Sequence, residues 1–179
     1  PNGNDGNPGT QSAPWRTINR ALQSPLRGGD EVVVLPGTYN ERVQVNRGGS
    51  ADRADGYVTL RSATRYGALL RPPSGTYSTL LVKANFVVID GFDVVGGSGH
   101  AIDVEDCFHT RVINCRAHDS GGSGISFNRA EFMLVENNQV YRNAATNTYH
   151  CSGISLYQNR NISGNRSTTG FRAIIRRNV

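Results

Sequence analysis

Apolar residues occur along this chain in short alternating words separated by polar turns. Residues 57–61 (YVTLR), 79–83 (TLLVK), 101–105 (AIDVE), 124–128 (GISFN) and 153–157 (GISLY) share the pattern, and most are followed by Asn, Gly or Asp. Alternation over so few residues predicts strands, not helices. Val82 recurs as Val104 and Phe127, Phe86 as Phe108 and Phe132, and Ile89 as Ile113 and Val135, a repeat of 22–24 residues. Short strands and polar turns at that period predict an all-β solenoid, a parallel β-helix, in which each coil buries its apolar face only by stacking on its neighbours.

Alternation also sorts the side chains. In residues 101–105, Ile102 and Val104 face the core, so Asp103 and Glu105 face out. In the same register Thr59, Leu81, Asp103, Ser126 and Ser155 form one outward column. Arg61, Lys83, Glu105, Asn128 and Tyr157 form the next, with neighbours about 4.8 Å apart. Lys83, the only lysine, therefore stands one rung from a pair of acids.

Taken in order, residues 1–29 read as an N-terminal loop and capping helix and residues 30–179 as the coils of one domain. Residues 2–7 hold a single carboxylate, Asp5, too few for a hard cation, and read as loop. Ser12 and Pro14 predict the start of a short helix that puts Trp15, Ile18 and Leu22 on one face and covers the open apolar end of the solenoid. Residues 32–35 (VVVL) predict a fully buried strand. The segments 48–56 (with Asp52, Arg53 and Asp55), 66–77 and 144–151 (with Tyr149 and His150) interrupt the repeat and are expected to wall a cleft. Ile174 and Ile175 open another coil that stops at Val179, so further C-terminal coils or a partner are expected over that end.

Composition narrows the picture. Gly accounts for 21 of 179 residues, a turn-rich chain whose apolar words nonetheless persist in every coil. No apolar run is long enough to span a bilayer. The net charge is +5, and 18 of the 19 basic residues are Arg, a residue suited to bidentate recognition of carboxylate, sulfate or phosphate. An anionic partner fits that excess, as does plain solvation of a many-runged surface. No basic stripe with stacking aromatics marks a nucleic-acid partner. Cys107, Cys115 and Cys151 are too few for a disulfide scaffold, leaving one bridge or small buried residues as alternatives. Of the four histidines, His100 aligns with Ser123 and Ser152 beside the Asp103 strand and is the candidate proton carrier, while His109, His118 and His150 fall in turn regions or an insertion.

The opening words DGNPGT, APWRTINRAL and GDEVVVLPGTYNERV are specific, and with the coils through residues 153–159 (GISLYQN) the chain resembles secreted bacterial right-handed parallel β-helix proteins of the pectate-lyase-like superfamily. The resemblance implies a right-handed helix, a secreted or cell-surface location and an acidic polysaccharide as partner. It further implies a polysaccharide lyase that cleaves a uronate-containing glycan of pectate or alginate type by calcium-assisted β-elimination. Such chemistry removes the weakly acidic proton beside a carboxylate, so a cation must neutralise that carboxylate while Lys or Arg takes the proton. On this basis Lys83 is the candidate base, with Arg61 and His100 as further catalytic candidates. Asp103, Glu105 and Asp106 are the candidate calcium ligands. Arg129, Asn128, Tyr157 and Ser126 are the candidate substrate contacts. The chain departs from calcium-dependent pectate lyases, which carry a denser group of Asp and place their lysine on a later coil.

Other readings stay open. Lys83 with Glu105 equally describes a cross-strand ion pair worth under about 1 kcal/mol. A non-catalytic glycan-binding surface module would need no complete acid cluster. A glycoside hydrolase needs two carboxylates roughly 5 to 9.5 Å apart, and strand rise puts Asp103 and Glu105 about 6.5 to 7 Å apart.

Overall fold

The computed structural model describes residues 2–52, 56–145, 147–148 and 151–179; Arg53, Asp55, Tyr149 and His150 of the expected insertions lie outside the described residues. The chain first closes the solenoid's end. Helix α1 (Ile18–Leu22) starts at Thr17, whose hydroxyl accepts the Arg20 N–H, and not near Ser12. Two carboxylates set that start by taking backbone donors that a helix end leaves unpaired. Asp5 Oδ1 accepts from Arg16 and Thr17 at 2.9 Å each, and Glu41 accepts from Ile18 at 2.8 Å and Asn19 at 3.1 Å. Trp15 donates its indole N–H to the Asn7 carbonyl at 2.6 Å, while Ile18 and Leu22 are buried against the first coil.

Each coil holds three strands. β1 (Glu31–Val34), β2 (Gly37–Asn40) and β3 (Val43–Val45) make the first, and β4 (Val58–Ser62), β5 (Ala68–Arg71) and β6 (Ser78–Val82) the second. β7 (Val87–Asp90), β8 (Asp93–Val95) and β9 (His100–Glu105) follow, then β10 (Phe108–Ile113), β11 (Arg116–His118) and β12 (Ile125–Asn128). β13 (Glu131–Glu136), β14 (Gln139–Tyr141) and β15 (Ile154–Tyr157) form the fifth coil, and β16 (Ala173–Arg176) begins the next. Corresponding strands pair in parallel into three sheets: β1-β4-β7-β10-β13-β16, β2-β5-β8-β11-β14 and β3-β6-β9-β12-β15.

The core is a set of vertical columns. In the third sheet Val43, Leu80, Ile102, Ile125 and Ile154 stack, beside Val45, Val82, Val104, Phe127 and Leu156. Tyr39, Leu70, Val94, Ala117 and Val140 line the second. Phe92 and Phe127 are fully buried, each contributing about 1.5 to 3 kcal/mol of apolar burial. Corners turn through left-handed backbone at matching positions of successive coils: Phe86, His109 and Phe132 at φ 55, 55 and 50°, and Asn114 and Asn137 at 56 and 59°. Side chains bond from coil to coil there. Asn138, buried, accepts the Cys115 N–H at 2.8 Å and donates to the Val112 carbonyl at 3.0 Å.

Several details differ from the sequence reading. Residues 32–35 do not form a fully buried strand, because β1 is the outermost strand of its sheet and leaves Val33 and Leu35 exposed. Segment 66–77 contains β5. Ile89 stacks on Val112, not Ile113. All three cysteines are free thiols. Burial pushes the Cys107 thiol up to about 11 and that of Cys115 up to about 12, so both behave as small core residues.

Candidate functional site

Topology singles out the outward face of the third sheet. Residues 72–77 and the described residues 144–145, 147–148 and 151 belong to connections from second to third sheet, and 48–52 and 56 to the connection from third to first. These described segments flank the third sheet. Its columns run Gln44, Leu81, Asp103, Ser126, Ser155 and, two residues along, Lys83, Glu105, Asn128, Tyr157.

Most of the expected residues gather here. Lys83 Nζ stands 3.0 Å from Glu105 Oε2, with the lysine side chain 49% exposed and the glutamate 23%. Asp103 points outward as alternation requires, yet is only 2% exposed. Its Oδ2 accepts the Ser78 hydroxyl at 2.8 Å, and burial pushes its carboxyl above the usual range, with the nearby Glu105 charge adding to the rise. His100 opens β9 and accepts the Ser123 N–H on Nδ1 at 3.0 Å. That bond places the proton of the neutral ring on Nε2, so Nδ1 is not open to shuttle a proton. Ser123 in turn shares a 2.6 Å hydroxyl contact with Ser155. Arg129 stands just beyond Asn128, to which it donates at 3.1 Å.

Two expectations are corrected. Arg61 and Thr59 lie on β4 in the first sheet, where Arg61 pairs with Asp90 and Val33 in register and binds Glu31 through its guanidinium. Arg61 is thus absent from the face of Lys83, because residues 57–61 alternate like the third-sheet words but occupy a different side of the coil. The calcium ligands do not fit either. Asp106 is clamped by Arg129 through bonds of 2.6 and 2.7 Å, which hold its carboxyl below the usual range. Glu105 faces Lys83 and Asp103 faces Ser78. Among the described residues no three His, Cys, Asp or Glu groups converge on a cation position.

The arginine excess has a structural outlet. Arg61, Arg116, Arg129, Arg142, Arg172, Arg176 and Arg177 each pair with a carboxylate one coil earlier. Lys83 with Glu105 runs the other way, base before acid. Sequence reasoning missed Tyr77 and Ser78, and placed Ser123 only as a residue aligned with His100. The available signal is Gly99 and Gly122, 23 residues apart beside the 66–77 interruption, which mark where neighbouring groups press on the backbone.

Residues 1–174 match the model of a family described as the Pel9A-like, right handed beta helix region. A cell surface glycoprotein of Methanothermus fervidus is 28% identical over 117 residues, covering 65% of this chain and 18% of that protein. An alginate lyase from Paenibacillus sp. str. FPU-7 has a similar structure, with a TM-score of 0.63 and 20% identity over 78% of this chain and 54% of that one. The pectate lyase Pel9A gives a TM-score of 0.63 and 21% identity, over 79% and 38% of the two chains. The chain spans about half the length, or less, of these relatives, and at such identities the structural likeness concerns the fold.

Proposed function

We propose, from the premise that the chain belongs to the Pel9A-like right-handed β-helix family, that it is an extracellular polysaccharide-active protein that cleaves a uronate-containing glycan by β-elimination. One observation carries the reading. The sole lysine stands half-exposed on the insertion-bordered sheet, 3.0 Å from Glu105 and beside the buried Asp103.

Lys83 is assigned the base. Its amine takes the proton from the carbon beside the uronate carboxylate, the electron pair forms the double bond, and the bond from the next carbon to the glycosidic oxygen breaks. The leaving oxygen then takes a proton from water. Glu105 holds the amine at the sheet surface, and His100 offers Nε2–H as a fixed donor. Asn128 and Tyr157, on the following rungs, face the hydroxyls of a glycan laid along the solenoid, while Ser126 on the Asp103 column is buried and Arg129 at the margin is assigned the uronate carboxylate, whose charge it neutralises. The chain's described carboxylates give no cation cage, and no step is assigned to calcium. The similarity to an alginate lyase and a pectate lyase supports the substrate class, and the similarity to a cell surface glycoprotein supports the location.

The test is incubation with a panel of polyuronates, following the ultraviolet absorbance of unsaturated products. Wild type is expected to raise it, and Lys83→Ala to slow it about a hundredfold or more. No absorbance on any polyuronate, or an unimpaired Lys83→Ala, overturns the assignment. A second reading, a surface module that binds acidic glycans without cutting them, is favoured by the engagement of Asp103, Glu105 and Asp106 with protein partners. It expects binding that weakens with salt and no shortened products.

A further inference from the structure

One prominent group on this face has no task in that scheme. Tyr77 is 58% exposed but firmly held. Its carbonyl accepts the N–H groups of Gly99 at 2.8 Å and His100 at 3.1 Å. Its ring meets His100 edge to face, with centroids 5.5 Å apart and planes at 86°. A Cβ built on Gly99 would stand 2.4, 2.6 and 2.5 Å from Cζ, Cε2 and Cε1 of that ring. Near-equal distances to three ring atoms put Gly99 beneath the ring's face. The phenol therefore lies on the coil with one face on the glycine and the other outward, and any side chain at position 99 would lift it.

Several other outward rings are covered, although Tyr157, 59% exposed, and Phe171, 80% exposed, are not among them. Arg65 and Arg116 lie over Tyr66, and Arg111 lies over Tyr57. Phe132 sits between His109 and Arg172, and Tyr141 stacks on His118. Among the described residues no guanidinium or stacked ring covers Tyr77.

We propose that Tyr77 is a platform on which one pyranose ring of the glycan stacks, beside the face formed by Asp103, Glu105 and Lys83. The inference rests on the glycan reading above and adds to it a subsite with its own physics. A pyranose presents C–H groups on its faces and hydroxyls around its rim, so a ring laid on the phenol buries apolar area against the π face. Its rim groups stay free for the polar columns. Burial, with Asp103, Cys151 and Glu105 nearby, raises the phenol pKa, which keeps the hydroxyl a donor. Because the contact is apolar, its contribution survives salt that screens Lys83.

Isothermal titration with hexagalacturonate and with hexamannuronate, at low and high salt, tests this. Tyr77→Phe is expected to bind within about twofold of wild type. Tyr77→Ala is expected to bind about five- to tenfold more weakly, by the same factor at both salt levels and with an unchanged thermal midpoint. Gly99→Ala, which keeps the phenol but displaces it, is expected to weaken binding as well. If wild type binds and Tyr77→Ala binds equally well, the platform is overturned and the glycan reading stands. If Tyr77→Phe loses as much as Tyr77→Ala, the hydroxyl and not the ring face is responsible, and the platform is again overturned. If wild type binds neither hexasaccharide, both readings fall.

Discussion

His118 on the second sheet lies against two carboxylates, with Nε2 2.8 Å from Asp93 and Nδ1 2.6 Å from Asp119. Arg142 closes on Asp119 through two 2.7 Å bonds, and the imidazole stacks on Tyr141 with planes 3° apart. His100 on the third sheet also has acids nearby, but among the described residues only its Nδ1 is bonded, to a backbone amide. Its neighbours are a half-exposed lysine, a buried carboxyl pushed up in pKa and a tyrosine with an open face. The residue types match, yet one network is closed and the other retains groups able to meet a ligand. A histidine among acids is therefore weak evidence of a site; incomplete bonding next to accessible space is the stronger sign.

That contrast can be broken in several places. The largest effect is expected at Lys83→Ala, which should lower uronate cleavage about a hundredfold or more while shifting stability by under about 1 kcal/mol, measured by product absorbance and urea unfolding. His118→Ala should do the reverse. It leaves Asp93 and Asp119 without the ring that bridges them, costing about 2 kcal/mol, and should leave cleavage unchanged. Asp103→Asn separates the two by pH. The Asp103 carboxyl titrates above its ordinary value of 3.8 in the folded chain, so its contribution is whole below that value and is lost as pH rises through the folded pKa. Asn has no such proton to lose. The variant should gain on wild type from acid toward neutral pH in denaturant titrations at each pH, and a constant difference would contradict the buried carboxyl. The smallest effect is expected at Arg142→Gln, where an exposed pair should yield only a slight loss in unfolding midpoint that vanishes in high salt.

Much of the fold is legible in the sequence because stacking forces like residues into columns. Val82, Val104 and Phe127 must superpose, and with them come Lys83, Glu105, Asn128 and Tyr157. Thr59 and Arg61 fail the same reasoning because three strands per coil use similar words, and alternation does not reveal which side of the coil a word occupies. Ile89 slips by one residue for a related cause: corner lengths are set by left-handed turns, not by the apolar pattern. Alternation also gives direction without depth, so the outward Asp103 gives no sign of being covered by its surroundings. The acids at 103, 105 and 106 have the chemistry of cation ligands, but their convergence depends on which partner each one faces, and Arg129, Lys83 and Ser78 reach them first.

The order of the arginine pairs bears on how the solenoid is assembled. Each carboxylate of such a pair is displayed by one coil, and its cation arrives with the following coil. A chain winding from its N-terminal helix thus presents carboxylates as a template to the incoming turn at most steps; the second coil, which carries none, is the exception, and there Lys83 precedes Glu105. Like charges on that template ease as each turn docks. Winding from the other end would instead line up guanidinium groups ahead of any partner. The charge pattern therefore gives the molecule a preferred direction of growth that its interior columns, alike in either direction, do not provide.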